Sequence, residues 1–209
     1  MTDETLFPEL PNGAFAKQDA GDDLAFYAPP RLVTHIDDNA TAALTGFYRT
    51  MLPEGGRLLD LMSSWVSHLP QDCCYSEVIG HGMNADELGA NPLLAQWFVQ
   101  NLNSDPRLPL DDRSFDAAMC CLGVQYLQRP HEVFADIRRV LMPGAPFVVS
   151  FSNRCFPTKA VAIWRALDIS GHAALVKLYF ERAGFADMAV DMLADGRHSD
   201  PLVAVTGRA

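Results

Sequence analysis

Short apolar runs alternate with amphipathic stretches along most of this chain. Seven of the apolar runs have the length of β-strands, and several are apolar without interruption, as is typical of strands that are buried on both faces. They lie at residues 57–61, 77–80, 97–102, 115–122, 146–151, 188–193 and 202–206. This pattern predicts an α/β protein that is built on a seven-stranded sheet.

Between these runs, apolar residues recur at the spacing of one helix face. Asp37 precedes the first such stretch as a capping residue, and Pro130 stands at the first turn of another, with Gly144 just past its end. Helices are therefore predicted over residues 40–51, 130–141, 157–167 and 171–183.

The connections between the elements indicate how the sheet is wound. Alternation of strands and helices predicts a doubly wound, mostly parallel sheet. The last connection, residues 194–201, has only eight residues, which is too few for a helical crossover, so we expect one antiparallel hairpin at the end of the sheet. Residues 1–33 contain several prolines and glycines and little periodicity, and we expect them to form an irregular arm on a single domain of residues 34–209.

Charge composition narrows the classes of function. The 209 residues include 16 basic and 26 acidic side chains, which gives a formal net charge of −10. Such a field repels phosphate backbones and anionic lipid, so we expect a small-molecule substrate rather than nucleic acid or a membrane as the main partner. The acidic start at residues 1–5 and the lack of an apolar stretch of about 18 residues predict a cytoplasmic protein.

The five cysteines and six histidines form no metal-binding motif. Two pairs of cysteines are adjacent, at residues 73–74 and 120–121, and no pair has C-x-x-C spacing. No two histidines stand four residues apart, as they would on one face of a metal-binding helix. We therefore expect no metal site, and thiols that are reduced and mostly buried.

Ligands of open α/β sheets bind at the carboxyl ends of the strands. Asp60 stands near the end of the first predicted strand, and Ser63 and Ser64 follow it. Their oxygens are suited to hold a small ligand, although the same serines are equally typical of a helix N-cap. The exit of the first strand is therefore the first place where we expect a site.

Three stretches of the chain resemble the class I S-adenosylmethionine-dependent methyltransferases, and most closely their small type 11 subgroup. They are LLDL at residues 58–61, LPLDDRSFD at residues 108–116 and RRVLMPGAPFVVS at residues 138–150, and the likeness covers about residues 40–207. The resemblance implies a Rossmann-like sheet of seven strands with an antiparallel last strand. It also implies S-adenosylmethionine as the cofactor and direct SN2 transfer of its methyl group to a small-molecule acceptor.

This chain departs from the family pattern at positions that contact the cofactor. Three glycines after the first strand are replaced by Met62, Ser64 and Val66. Gly82 stands where the family has the acid that holds the ribose hydroxyls, and Asn101 replaces an acid near the adenine. Two of the strongest cofactor contacts of the family are therefore rewritten here.

The replacing residues are mostly small, polar or able to form hydrogen bonds, which favours an altered cofactor site over a lost one. In this interpretation His81 or Asn84 bonds the ribose hydroxyls, and the serines bond the methionine carboxylate. The resemblance implies cofactor contacts from Asp60, Met62, Ser63, Ser64, Gly80, His81, Gly82, Met83, Asn84, Asn101, Leu102, Cys121 and Leu122.

Further candidates lie where the family binds the methyl acceptor. Tyr126 follows the fourth strand, and Asn153 and Arg154 follow the fifth, so these three are the expected substrate contacts. His35 and Tyr27 are the expected catalytic residues, because either side chain can take the proton of an oxygen or nitrogen nucleophile.

Two other functions stay open at this point. A non-catalytic protein of the same fold, acting in binding or assembly, would have its strand-end pocket filled by Met62, Trp65 and Met83. A nicotinamide-dependent oxidoreductase would need G-x-G-x-x-G after the first strand. Residues 62–67 contain no glycine, which disfavours that second function.

Overall fold

The computed structural model describes residues 6–209, and the acidic start at residues 1–5 lies outside them. The described residues form a sheet of β1 (Arg57–Leu61), β2 (Glu77–Gly82), β3 (Gln96–Val99), β4 (Ala117–Cys121), β5 (Pro146–Ser152), β6 (Ala186–Ala194) and β7 (Leu202–Arg208). Each strand overlaps one of the apolar runs in the sequence. The predicted α/β fold class is therefore confirmed.

The order of the strands across the sheet is β3-β2-β1-β4-β5-β7-β6. β1 is parallel to both of its neighbours, with Leu59 beside Ile79 of β2 and Ala118 of β4. β7 inserts between β5 and β6 and is antiparallel to both. The short final connection thus forms the expected hairpin. The strand order reverses at β1, where β2 follows on one side and β4 on the other, and this is where a crevice opens in such sheets.

The helices of the described residues are α1 (Asp23–Tyr27), α2 (Asp38–Met51), α3 (Ala85–Ala90), α4 (Pro130–Val140), α5 (Ala162–Ala166) and α6 (Ile169–Arg182), with a 3-10 turn at Val124–Tyr126. The helix predicted over residues 157–167 is wrong in its first half, because only α5 forms, in the second half. Val161 instead forms a β-bridge with Lys17, and its N–H donates to the carbonyl of Gln125. These contacts with distant residues replace the helical hydrogen bonds there.

Helices pack on both faces of the sheet. On one face, Phe134 of α4 packs against Phe147 of β5 and Phe180 of α6, with ring centroids 5.2 and 5.0 Å away. On the other face, Leu44 and Tyr48 of α2 are fully buried against the sheet. Apolar side chains cover both faces of the sheet, so polar side chains that could bind a ligand are expected at the carboxyl edge of the strands.

The arm packs into the main core. Phe7 and Phe15 are buried, and their ring centroids lie 5.5 and 6.2 Å from that of Tyr179 in α6. After α1, the arm contacts the loops at the carboxyl edge of the sheet, where Trp65 Nε1 donates to the carbonyl of Val33. No helix among residues 6–209 is both long and apolar enough to cross a membrane.

Candidate functional site

A cavity of about 390 Å³ opens at the carboxyl ends of β1 to β4, beside the arm. This volume lies within the range of small-molecule sites, about 300–1,000 Å³. Of the eighteen site residues proposed from the sequence, sixteen line it: Tyr27, His35, Asp60, Met62, Ser63, Ser64, His81, Gly82, Met83, Asn84, Asn101, Leu102, Cys121, Leu122, Tyr126 and Arg154. The other two lie elsewhere, because Gly80 is buried within β2 against Leu94 and Asn153 is exposed.

Asp60 lies beneath the loop that follows β1. The residue is 3% exposed, and Ser63 Oγ donates a 2.6 Å hydrogen bond to its Oδ2. Burial raises the pKa of Asp60 to about 7, although hydrogen bonds from Ser63 and Ser67 oppose the rise. Met62 has a φ of 55°, the left-handed backbone that favours glycine. Met62 therefore adopts, in this loop, a backbone conformation that glycine adopts more readily.

His81 is held at the end of β2 by both nitrogens of its ring. Its Nδ1 accepts a 3.1 Å hydrogen bond from the Met62 N–H, and its Nε2 lies 3.0 Å from the carbonyl oxygen of Gln100. Because one nitrogen accepts and the other donates, the ring is neutral, and burial lowers its pKa to about 4. His81 thus fixes two loops of the cavity wall to each other.

The side chain of Asn84, like that of His81, is fully hydrogen-bonded within the protein. Its Nδ2 donates to the carbonyls of Tyr27 and Ala28, and its Oδ1 accepts from the N–H groups of Asp86 and Glu87. The side chain thereby caps α3 and attaches the arm to it. If Asn84 or the histidine of β2 were to bond a ribose hydroxyl, as the sequence suggested, an existing hydrogen bond would have to break first.

Position 82 has no room for a side chain. An ideal Cβ on Gly82 would lie 2.5 Å from the carbonyl oxygen of Ser63 and 3.1 Å from Leu88 Cδ2. The Ser63 N–H donates a 2.6 Å hydrogen bond to the carbonyl of His81, which fixes the obstructing backbone. The acid that the family carries at this strand end therefore cannot be accommodated here.

Glu87 lines the same cavity from the first turn of α3, although it is not among the site residues expected from the sequence. Its Oε1 accepts a 2.7 Å hydrogen bond from the Arg31 backbone N–H, and its Oε2 accepts a 2.5 Å bond from Ser64 Oγ. One sequence signal was present, because Glu87 stands three residues after the capping Asn84, as in a capping box. That spacing locates a helix start but does not tell that the carboxylate turns into a cavity.

Aromatic rings wall the part of the cavity next to the arm. The centroids of Tyr27, Tyr126 and Phe156 are 6.1–6.3 Å apart, and the His35 ring lies 5.8 Å from that of Phe156. Burial raises the pKa of Tyr27 far above its usual value of 10, so its hydroxyl stays protonated. Burial lowers the pKa of His35 below 6.5, so its ring is neutral at pH 7.

A buried ion cluster adjoins this aromatic wall. Asp23 is 7% exposed and pairs with Lys17 at 2.6 Å and with the fully buried Lys159 at 3.1 Å. Asn103 Nδ2 donates a further 3.1 Å hydrogen bond to its carboxylate. Burial opposes the ionisation of Asp23, but these donors outweigh it and lower the pKa. Sequence reasoning missed this cluster because its members stand far apart in the chain.

The cysteines and Arg154 have simpler surroundings. Burial raises the pKa of Cys121 to about 12 and that of Cys120 further, so neither is a thiolate nucleophile. Arg154 forms a 2.8 Å ion pair with Asp200 at the edge of the cavity.

Between residues 6 and 209, no group of three or more His, Cys, Asp or Glu side chains is placed to hold a metal ion.

Part of this chain is similar to known sequences. Residues 73–149 match the family described as a methyltransferase domain. The biotin biosynthesis bifunctional protein BioHC of Teredinibacter turnerae is 30% identical to this chain over 110 residues. That alignment takes in half of this chain but only 19% of the length of the curated relative.

Solved structures share the fold. The S-adenosylmethionine-dependent methyltransferase of Mesorhizobium loti is 20% identical with a TM-score of 0.57, covering 80% of this chain and 98% of that one. Phosphoethanolamine N-methyltransferase 2 of Haemonchus contortus, solved in complex with S-adenosyl-L-methionine, is 13% identical with a TM-score of 0.57, covering 80% and 52%. At these identities the likeness shows the fold.

Proposed function

We propose that this chain, which has the fold of the class I S-adenosylmethionine-dependent methyltransferases and matches a methyltransferase domain over residues 73–149, is a member of that class, binds S-adenosylmethionine and transfers the methyl group directly to a small-molecule acceptor. A fold by itself does not define a function, so the argument rests on the site. The observation that carries it is the cavity at the ends of β1 to β4, which is lined by sixteen of the eighteen site residues expected from the sequence.

The residues around this cavity fit the cofactor. Met62 has the left-handed backbone that glycine favours, at a position where the family pattern has glycine. An ideal Cβ on Gly123 would lie only 2.7 Å from Met62 Cβ, so the exits of β1 and β4 meet closely because residue 123 is glycine. The loop from Asp60 to Ser64 would hold the methionine end, and Asn101 would hold the adenine. When bound, the cofactor supplies an electrophilic methyl group.

The aromatic part of the cavity supports a small acceptor. Tyr27, Tyr126 and Phe156 form apolar walls that exclude water, and methyl displacement depends chiefly on placement and desolvation of the nucleophile. The neutral ring of His35 is suited to accept a proton from an O–H or N–H nucleophile. The protonated Tyr27 can donate a hydrogen bond but cannot serve as the base, so of the two candidates we retain His35 in that role.

The net charge of −10 supports a small metabolite over nucleic acid as the acceptor. A cytoplasmic location is part of the same proposal.

A non-catalytic protein of the same fold is the alternative. It required a pocket filled by Met62, Trp65 and Met83, whereas both methionines line an open cavity and Trp65 is not among the lining residues. One observation still favours this alternative: the blocked position at Gly82 removes the ribose ligand of the family.

Calorimetric titration of the purified chain with S-adenosylmethionine and S-adenosylhomocysteine, with NADH as a control, tests the proposal. We expect micromolar dissociation constants, about −8 kcal/mol, for the first two ligands and no binding of NADH. Asn101→Ala should weaken binding about 5- to 10-fold through the loss of one hydrogen bond. Asn153→Ala, the same change outside the cavity, should leave binding unchanged. Absence of binding by wild type at millimolar ligand would favour the non-catalytic alternative.

A further inference from the structure

We infer that Glu87 has taken over the task of the missing strand-end acid and holds the 2′- and 3′-hydroxyls of the ribose through its carboxylate. This inference rests on the proposed function, and it concerns a residue of this chain that the family pattern does not indicate. It also defines a class of ligand, namely nucleosides that keep both ribose hydroxyls free.

The usual place for the acid is closed. Gly82 lies against the carbonyl oxygen of Ser63, 2.5 Å from where its Cβ would stand. That carbonyl belongs to a loop whose two neighbouring N–H groups, those of Met62 and Ser63, are bonded to His81. Since the obstruction is backbone rather than a flexible side chain, an aspartate at position 82 would require the loop to move.

The other polar groups nearby are already engaged. Both ring nitrogens of His81 and all four hydrogen-bonding positions of the Asn84 amide have partners within the protein. Asp60 is 3% exposed and accepts from Ser63, and Asp23 is paired with two lysines. Among the carboxylates that line the cavity, Glu87 is the one that is only half-buried.

The hydrogen bonds of Glu87 orient its carboxylate and still leave room for a diol. Oε1 accepts from the Arg31 N–H and Oε2 from Ser64 Oγ, one bond to each oxygen. A carboxylate oxygen has two acceptor positions, so each keeps one for a hydroxyl. Two vicinal hydroxyls can therefore bond the two oxygens side by side, as acidic residues do with ribose hydroxyls in other doubly wound folds.

The test compares S-adenosylhomocysteine with its 2′-deoxy analogue by calorimetry on three forms of the full chain. These are wild type, Glu87→Gln and the matched control Asp86→Asn, which makes the same charge change at an exposed neighbour in the same helical turn. A hydrogen bond to a charged group corresponds to about 10- to 100-fold in affinity. We expect Glu87→Gln to bind S-adenosylhomocysteine weaker by that factor, and Asp86→Asn to bind within twofold of wild type.

The ligand comparison separates a direct contact from a structural role. Removal of the 2′-hydroxyl should weaken binding about 10-fold or more in wild type and Asp86→Asn, but less than threefold in Glu87→Gln, because the hydroxyl and the carboxylate act as a pair. If Glu87→Gln instead loses the same affinity for both ligands, the carboxylate acts on the fold and not on the hydroxyl. That result would overturn the inference.

Two further outcomes would also overturn it. If wild type binds the deoxy analogue as tightly as S-adenosylhomocysteine, no carboxylate holds that hydroxyl, and this outcome needs no variant. If Glu87→Gln binds as wild type does, the residue is not a ligand, although the proposed function still stands. Failure of wild type to bind S-adenosylhomocysteine at millimolar concentration would remove the proposed function and the role of Glu87 together.

Discussion

The buried ion cluster beside the cavity makes a quantitative prediction for Asp23→Asn. Asp23 is the shared anion of two lysines, Lys17 at 2.6 Å and Lys159 at 3.1 Å, and both ammonium groups are almost completely buried. An amide at position 23 removes the charge and turns an NH₂ group toward one of the lysines. Lys159 would keep Asp19 at 3.2 Å, which is partly exposed, whereas no other ion pair is described for Lys17.

The expected loss follows from the burial of these charges. Removal of one partner from a buried ion pair typically costs about 3–5 kcal/mol, since the remaining charge stays desolvated. A chain of 209 residues unfolds with an entropy of about 0.44 kcal/mol/K near its midpoint. The predicted fall in Tm for Asp23→Asn is therefore about 7–11 °C.

Thermal and urea unfolding, followed by circular dichroism, measure this change. Asp22→Asn is the matched control, because it removes the same charge at the adjacent residue. Asp22 caps α1 by accepting a hydrogen bond from the Leu24 N–H, and asparagine is an equally good cap. We expect the control to stay within about 0.5 kcal/mol of wild type. A loss below 1 kcal/mol for Asp23→Asn, or an equal loss for both variants, would refute the reasoning.

Three other predictions concern the walls of the cavity. Gly82→Ala should lower the free energy of unfolding in urea by about 1–3 kcal/mol, and by more than Gly80→Ala does. The new Cβ at residue 82 meets the Ser63 backbone, whereas that at residue 80 meets a leucine side chain that can turn away. Equal losses for the two variants would contradict this. The raised pKa of Asp60, about 7, means that the folded state keeps a proton that the unfolded state releases near pH 4, so this residue lowers stability as pH rises from 4 to 7. Asp60→Asn should remove up to about 1.4 kcal/mol per pH unit of that slope, and an unchanged slope would show that Asp60 does not titrate there. If His35 is the base, kcat should fall at acidic pH only below the lowered pKa of His35, hence below pH 6.5. His35→Gln should abolish this fall. A fall that persists in the variant would belong to another group.

The fold was largely predictable from the chain because burial is periodic within each element. All seven strands and the antiparallel last strand were expected from apolar runs and connection lengths. β3 ends at Val99, earlier than predicted, because the Gln100 side chain bonds the carbonyls of Asp105 and Arg107 and Asn101 Oδ1 accepts from a nearby N–H. Polar side chains that bond local backbone end a strand, and hydrophobic pattern alone does not reveal this.

The candidate site was predictable only in its location. The strand order, which reverses at β1, places the cavity at the exits of β1 to β4, and the sequence pointed to Asp60 and the serines that follow it. The partners of those residues were not predictable, because a hydrogen bond such as the one that the Met62 N–H donates to His81 Nδ1 depends on how two loops meet. His81 and Asn84 were expected to bond the ribose, and the sequence did not reveal that both side chains are already bonded within the protein.

The amino-acid sequence is enough to predict the order of strands and helices, the edge of the sheet at which the cavity lies, and the positions that depart from the methyltransferase pattern. Which polar groups at that edge are free to bond a ligand depends on tertiary packing. Glu87 meets the Arg31 N–H across 56 residues of chain, and Asp23 meets Lys159 across a longer span. Secondary structure follows from neighbours in sequence, whereas the burial and charge state of a side chain are set by distant residues that packing brings within a few ångströms.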